Sequence, residues 1–541
     1  MKISGIIIVL VALQYVVTTY GQSVKNDTIP LAPEKNRRSG NFEPFVFTYS
    51  LEELKENFSN DMMMRAGQQY KMVKKVNQQG KWKPTPESID SHLTPEWFKD
   101  AKFGMFIDWG LWSIAGWAPK KEKGAMYPDW YEYRMDTDSG FIEYHNKNWG
   151  KDFKRDDFIP LFEARNYKPE RLAKIVQDAG MKYVIPFSKH HSGFCLWPST
   201  FTQRDVIDMG PKTDLIGPLV ESCKERGLKF GFYFSVDEWE YPLIDENGKL
   251  STRIWGNKVQ PYSKDIEKKA SGKIAVRNFA EDYIVPQATE FIDKYDPDIL
   301  WYDGEWDVPA HDLCSYDIAA YFYNKAEGRK EVAVNDRYGL ENGEKLRFKR
   351  GDIFTSEYHD NDGKVKGHSW EANRGISQSF GYNWQDTEDN VISTKDFIQM
   401  FVDIVSKGGN LLLIVNLDGQ GALPKVQEDR LLDIGRWLKV NGEGIYNTRR
   451  FSITSEGEVY YTCSKDRQTV YAIATKWPGK YLELKSIVPK AGSRIYLLGE
   501  KEPLKWSYDR SIRSTSIEIP DRLQESPRRP CKYAYTFRIE I

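Results

Sequence analysis

The sequence predicts an α/β protein, a TIM-like (β/α)8 barrel followed by a C-terminal β-sandwich domain. Three observations predict it. From Leu93 onward, short apolar runs alternate with amphipathic helical stretches, the pattern of parallel strands joined by crossover helices. About seven or eight such units follow one another, and no GxGxxG fingerprint opens a strand–helix turn, so a closed barrel fits better than a doubly wound open sheet. After the helical stretch Lys425–Val440 the chain turns to alternating strands with no long amphipathic helix.

Taken in order, residues 1–21 read as an export signal. Lys2 supplies the positive start, Gly5 to Leu13 an apolar run, and Thr19-Tyr20-Gly21 places small residues before a cleavage site. Gln14 interrupts that run well short of the roughly 20 residues a bilayer span needs. A secreted or periplasmic protein is expected, with no membrane association after cleavage. Residues 22–91 form a polar, turn-rich N-terminal extension, with one helix expected around Leu51–Val73 and a Pro-containing linker near Lys81–Glu87.

The barrel is assigned to residues 92–445. Its expected strands are Phe103–Ile107, Tyr183–Phe187, Lys229–Phe234, Ile299–Tyr302, Val332–Val334, Ile353–Thr355 and Leu411–Val415. Intervening helices are expected at Arg171–Ala179, Leu215–Arg226, Asn278–Lys294 and Thr394–Ser406. Residues 446–541 carry the second domain, with strands at Val459–Thr462, Thr469–Ala474, Tyr481–Leu484, Arg494–Leu498, Ser516–Ile519 and Ala534–Ile539. Bracing of the barrel is the favoured role for this domain, ahead of carbohydrate binding.

Composition narrows the partners. A net charge of −1 lacks the surplus of clustered cations that phosphate backbones demand, which argues against nucleic acid. With 17 Trp and 31 Tyr, the chain has aromatic faces to spare for the apolar faces of sugar rings. Five scattered cysteines form no CxxC or His/Cys cluster, so they are expected as small buried hydrophobes and no metal or cofactor is implied.

In a parallel barrel the chemistry stands at the C-terminal ends of the strands. Those ends read Asp108-Trp109-Gly110, Lys189-His190-His191-Ser192-Gly193-Phe194, Trp301-Tyr302-Asp303-Gly304, Asn335-Asp336-Arg337 and Glu357-Tyr358. Carboxylates, imidazoles, an arginine and indoles on one rim compose a sugar pocket. Glycoside hydrolysis needs two carboxyl groups flanking the scissile bond, and Asp303 and Glu357 are the candidates. Gly304 after Asp303 weakens a helix-capping reading of that acid. His190 and His191, being adjacent, would point to opposite faces of a strand, which disfavours a shared metal ion. Either the strand end bends so that both reach the pocket, or one of them is a buried, hydrogen-bonded histidine.

From about Pro95 to Thr448 the chain resembles the α-L-fucosidases of glycoside hydrolase family 29. The resemblance rests on Pro95-Glu96-Trp97-Phe98, Asp100-Ala101-Lys102-Phe103-Gly104, Lys189-His190-His191, Leu300-Trp301-Tyr302-Asp303-Gly304 and Asn335-Asp336-Arg337. It continues through Glu357-Tyr358, Gly381-Tyr382-Asn383, Gly408-Gly409-Asn410-Leu411-Leu412 and Asn441-Gly442-Glu443-Gly444-Ile445-Tyr446. The resemblance implies a TIM-like barrel with a β-sandwich, and a retaining exo-glycosidase in which Asp303 is the nucleophile and Glu357 the acid/base, with Glu371 as its substitute. Asp108, Trp109, Asp129, Trp130, His190, His191, Tyr233, Trp301 and Arg337 are then the expected substrate contacts. A catalytically silent carbohydrate-binding protein on the same barrel is the alternative, and retention of both Asp303 and Glu357 speaks against it.

Three positions depart from the family's pattern. Asp108 stands where relatives carry His, Asp129 where they carry Glu, and Ser192 where they carry Asp. An altered hydroxyl-reading surface is therefore expected, and with it an L-galacto-configured relative of fucose as a preferred sugar. The cationic Lys120-Lys121-Glu122-Lys123 loop suggests a 6-sulfate on it.

Overall fold

The computed structural model describes Ala32 and residues 61–121, 124–357 and 367–541. Eight parallel strands form the barrel: β1 (Phe103–Asp108), β2 (Tyr183–Lys189), β3 (Lys229–Ser235), β7 (Ile299–Asp303), β8 (Ala333–Val334), β11 (Phe354–Glu357), β12 (Trp370–Gly375) and β13 (Asn410–Asn416). Between β3 and β7 runs an antiparallel excursion of β4 (Glu240–Ile244), β5 (Leu250–Ile254) and β6 (Lys258–Pro261). A small hairpin, β9 (Leu340–Glu341) with β10 (Glu344–Lys345), follows β8. The hydrogen-bonded order is β11-β12-β13-β1-β2-β3-β7-β8. A parallel bridge from Asn335 to Ile353 joins the two edges, so the ring closes.

The strands are almost wholly buried because helices cover their outer faces, and this is why they read as continuous apolar runs. The exception is β12, which the sequence reading missed. Its Trp-Glu-Ala-Asn-Arg-Gly sequence places polar Glu371 and Asn373 among buried neighbours, so no apolar run announces it. Helices at Tyr131–Thr137, Ser139–Asn148 and Ser315–Ala326 were missed as well. The first two lie in the long β1–β2 crossover, which holds more than one helix.

The N-terminal helix spans Asp61–Gln79, extending beyond the expected Val73. It braces the barrel from outside: Gln69 Nε2 donates to Thr289 Oγ1 at 2.9 Å and Asn77 Nδ2 to the Asp317 carbonyl at 2.9 Å. The expected export signal at residues 1–21, and residues 22–31 and 33–60 of the extension, lie outside the described residues.

The C-terminal segment forms two antiparallel sheets. One has the order β14 (Arg449–Glu456), β15 (Val459–Cys463), β16 (Thr469–Ala474), β21 (Tyr535–Glu540) and β18 (Tyr496–Leu497). The other has β17 (Tyr481–Leu484), β20 (Ser514–Glu518) and β19 (Lys505–Asp509). Leu482, Ile517, Leu497 and Phe537 are among the residues of their shared core. Strands β14 and β19 escaped the sequence reading because their side chains alternate between exposed and half-buried, leaving little apolar signal. The domain meets the barrel near the N-terminal ends of its strands: Arg449 Nη1 donates to Asp100 Oδ1 at 2.9 Å and Tyr446 Oη to the Gly180 carbonyl at 2.5 Å. Asp100 and Gly180 precede β1 and β2, so this contact lies opposite the rim that carries Asp303. All five cysteines are free thiols, four of them buried.

Candidate active site

Asp303 ends β7, and its two carboxylate oxygens are held from different directions. Tyr233, on β3, donates its hydroxyl to Oδ2 at 2.6 Å, and Arg337 Nη1, just beyond β8, donates to Oδ1 at 2.5 Å. The chain can leave the strand abruptly because Gly304 adopts φ +86°, where a Cβ would meet Ser235 Oγ at 2.9 Å. The second nitrogen of the same guanidinium, Arg337 Nη2, donates to Glu357 Oε1 at the end of β11. Arg337 is 1% exposed and sits 4.4 Å above the Trp301 ring, so one buried cation holds both candidate carboxyl groups.

His190 and His191 both reach this region. The β2–β3 register is irregular between Phe187 and Lys189, so the strict alternation of a strand no longer governs the residues that follow. His191 Nδ1 is 2.6 Å from Ser235 Oγ, and its Nε2 is 3.8 Å from Asp303 Oδ2. His190 lies 4.0 Å from the His191 ring, with Nε2 3.9 Å from Asp129 Oδ2. Burial depresses both imidazoles, that of His191 to about 3, which makes them neutral.

Asp108 and Asp129 complete one wall. The Trp112 indole donates to Asp108 Oδ1 at 2.9 Å. Gly381, at φ +85°, brings its own loop against the Asp129 backbone where a side chain would not fit. Burial raises the Asp108 carboxyl to about 8. It also raises Asp129 well above the carboxylate range, and the neighbouring Asp108 adds to that shift. A pair of buried carboxyls with so little counter-charge holds protons near neutrality.

Glu305 was not singled out from the sequence. It is 3% exposed, interacts electrostatically with Arg337, Asp303 and Arg347, and burial pushes it up to about 7. The only signal for it was its place two residues beyond the strand-end acid. Several buried atoms around Asp303 make no hydrogen bond within the protein: Asp108 Oδ2, Asp129 Oδ1, His190 Nδ1, His191 Nε2 and both oxygens of Glu305. Buried polar groups are ordinarily satisfied, so a cluster of unmet donors and acceptors marks a place built for a polar ligand.

Two expected residues stand apart from this group. Trp109 turns toward Phe162 and Tyr167, with ring centroids 4.8 Å away in each case, and donates its indole N–H to the Asp418 carbonyl. Glu371, the second residue of β12, lies low in the barrel, where Tyr183 donates to Oε2 at 2.6 Å and the Trp301 indole to Oε1 at 3.1 Å. Trp301 therefore forms the floor between Glu371 below and Arg337 above. In the cationic loop, Lys121 Nζ donates to the Ala125 carbonyl at 3.0 Å, while Glu122 and Lys123 lie outside the described residues.

A closed parallel barrel with paired carboxyls, neutral imidazoles and an arginine on its C-terminal rim defines a glycoside hydrolase. The chain belongs to the α-L-fucosidase family, glycoside hydrolase family 29. The α-L-fucosidase family model matches residues 69–443, and that of the α-L-fucosidase C-terminal domain matches residues 453–540. Plasma α-L-fucosidase of Rattus norvegicus is 32% identical over 464 residues, covering 84% of this chain and 93% of that protein. The α-L-fucosidase of Branchiostoma floridae is 31% identical, covering 85% and 96%. The crystal structure of Thermotoga maritima α-fucosidase with a mechanism-based inhibitor superimposes with a TM-score of 0.68 at 32% identity, covering 85% of this chain and 100% of that one.

Proposed function

We propose that the protein is a retaining exo-glycosidase that releases terminal α-L-fucosyl or related α-L-galactosyl residues, including 6-sulfated ones, from oligo- or polysaccharides. Asp303 attacks the anomeric carbon while Glu357 passes its proton to the departing glycosidic oxygen, so the C–O bond breaks as a glycosyl ester forms. Glu357, now a carboxylate, takes a proton from water, and that water's oxygen displaces Asp303 from the anomeric carbon. Two inversions give net retention. The observation that carries the reading is the Arg337 fork, with Asp303 on one nitrogen and Glu357 on the other. Two carboxyls tied to one guanidinium favour the closer spacing of a retaining pair, about 5–5.5 Å.

The neutral His190 and His191 suit hydroxyl recognition without adding charge. The Asp108 and Asp129 carboxyls support the L-galacto reading: L-galactose carries a hydroxyl where fucose has a methyl, and a protonated carboxyl both donates to and accepts from a hydroxyl. The N-terminal signal reading makes export part of the proposal, and no described helix is long and apolar enough to cross a membrane.

The test is product analysis on aryl α-L-fucoside, aryl α-L-galactoside and its 6-sulfate, with wild type and Asp303→Ala. Retained anomeric configuration and an inactive variant are expected. A clear preference for the plain fucoside removes the galactosyl part, and unchanged turnover by Asp303→Ala removes the mechanism.

A further inference from the structure

Around His191 the loops bring together four indoles, and they divide into two kinds. Trp239 is 2% exposed and packs as core. Trp130, Trp255 and Trp306 are only half-buried, with ring centroids 5.4 to 6.0 Å from one another. They stand 5.2, 4.9 and 5.7 Å from the His191 ring, which itself approaches Asp303. Three adjoining indoles that keep surface open at the mouth of a catalytic pocket make an aromatic patch that packing alone does not explain.

Trp255 comes from outside the barrel proper, at the turn between β5 and β6. That turn is fixed at the end of β3. Asp237 accepts from Arg253 Nη1 and, at 3.0 Å, from the Gly256 N–H, while the Trp255 N–H donates to the Trp239 carbonyl at 3.1 Å. The Arg253–Asp237 ion pair is almost fully buried, so the excursion carries a rigidly placed ring to the rim. An excursion anchored in this way, with its aromatic tip beside the catalytic carboxylate, is suited to hold something continuous with the bound sugar.

We propose that Trp130, Trp255 and Trp306 form a platform for the pyranose ring adjoining the terminal residue that Asp303 attacks, so that the enzyme is built for oligosaccharides rather than simple glycosides. The proposal rests on the glycosidase reading above and adds a subsite to it. Indole faces present a wide, rigid, apolar surface with little entropy to lose, which matches the C–H face of a pyranose. Two indoles at an angle would grip such a ring more selectively than one.

The test compares wild type, Trp255→Ala and Trp255→Phe on a terminally fucosylated or L-galactosylated oligosaccharide and on the corresponding glycosyl fluoride, whose leaving group has no ring. For Trp255→Ala, kcat/KM on the oligosaccharide should fall about tenfold, mainly through KM, equivalent to about 1.4 kcal/mol. Turnover of the fluoride should stay within about twofold of wild type, and Trp255→Phe should recover most of the loss on the oligosaccharide. An equal fall on both substrates, or none on either, overturns the proposal. Titration of the same oligosaccharide into Asp303→Ala, followed by tryptophan fluorescence, reads the platform independently of hydrolysis. Adding Trp255→Ala to that background should weaken the oligosaccharide at least about fivefold and leave the free monosaccharide unchanged. A failure of the catalytic reading alone would leave this binding difference intact, whereas equal affinities would sink the platform.

Discussion

Arg337 Nη1 lies 2.5 Å from Asp303 Oδ1, and the guanidinium is almost completely removed from solvent. The arginine does two jobs that a simpler cation could not combine. Its planar fork fixes the carboxylate of Asp303 while its other nitrogen reaches Glu357. Arg337→Lys keeps a positive charge but offers one point donor, so the two acids lose their common reference. We expect kcat/KM to fall about 10²–10³-fold, the range for losing a preorganised polar contact in an active site. Steady-state kinetics with circular dichroism checks this, and a fall accompanied by loss of fold would assign the effect to stability instead.

Glu357 and Glu371 are separable by leaving group. A missing acid/base hurts substrates with poor leaving groups most, because activated aryl alcohols depart without a proton. Glu357→Ala should lose about 10²–10⁴-fold on an oligosaccharide and far less on a nitrophenyl glycoside in the first step. Added azide should then yield a glycosyl azide of retained configuration, visible by NMR. Glu371 accepts from Tyr183 and Trp301 inside the barrel, and burial pushes its carboxyl up to about 7. Glu371→Gln should shift the melting temperature and show no leaving-group dependence. Azide rescue in the Glu371 variant would exchange the two roles.

Asp108 makes stability pH-dependent in a defined direction. Its folded carboxyl titrates near 8, against an ordinary value of 3.8, because burial disfavours its charged form. Between about pH 4 and 8 the folded state therefore binds more protons at this position than the unfolded chain, and stability contributed here falls as pH rises. The Trp112 indole, the Gly381 amide and Asp129 face this carboxyl, and none of them supplies a cation. Asp108→Asn is uncharged at every pH, so its melting temperature should exceed that of wild type by an amount that grows from pH 5 to pH 8, at roughly 1 °C per kcal/mol for a chain of this length. A gain that is constant across that range would mean that Asp108 does not titrate in the window.

The strand ends were the most legible part of this sequence. Seven apolar runs place seven barrel strands, since burial on both faces forbids polar alternation. Asp303, Arg337, His190 and His191 were legible for the same reason, standing where an apolar run stops. Glu305 escaped because its meaning depends on a fold-back after Gly304, and Trp255 because it belongs to an excursion whose route no periodicity encodes. Trp109 shows the converse. Adjacent in sequence to Asp108, it faces Tyr167 on the other side of the chain, and residue order alone does not tell which way the rim turns. Strand β12 was hidden because a barrel interior tolerates Glu371 and Asn373 when other residues enclose them.

Beneath the histidines lies a charge network whose removal should be read in stability. Glu238 accepts from Lys189 Nζ at 2.9 Å and pairs with Lys273 Nζ at 2.5 Å, and all three side chains are essentially unexposed. Burial works to raise the Glu238 carboxyl, but Lys189 and Lys273 outweigh it and hold it at about 2. The unfolded chain takes up this proton near 4.5, so the stability contributed by Glu238 is fully present above that pH and is lost as pH falls toward 2. Removing the acid leaves the Lys189 and Lys273 ammoniums with only neutral acceptors, Gln287 Oε1 and the Glu240 carbonyl, in place of the carboxylate, a loss of about 3–5 kcal/mol. Glu238→Ala should therefore lower the unfolding free energy at pH 7 by that amount, and Glu238→Gln by less, because an amide still accepts from one lysine. Denaturant titrations at pH 7 and pH 3 make the check: in Glu238→Gln the acid-dependent part of the loss should shrink. Unchanged stability at pH 7 would mean that water reaches the lysines and that the network is not dry.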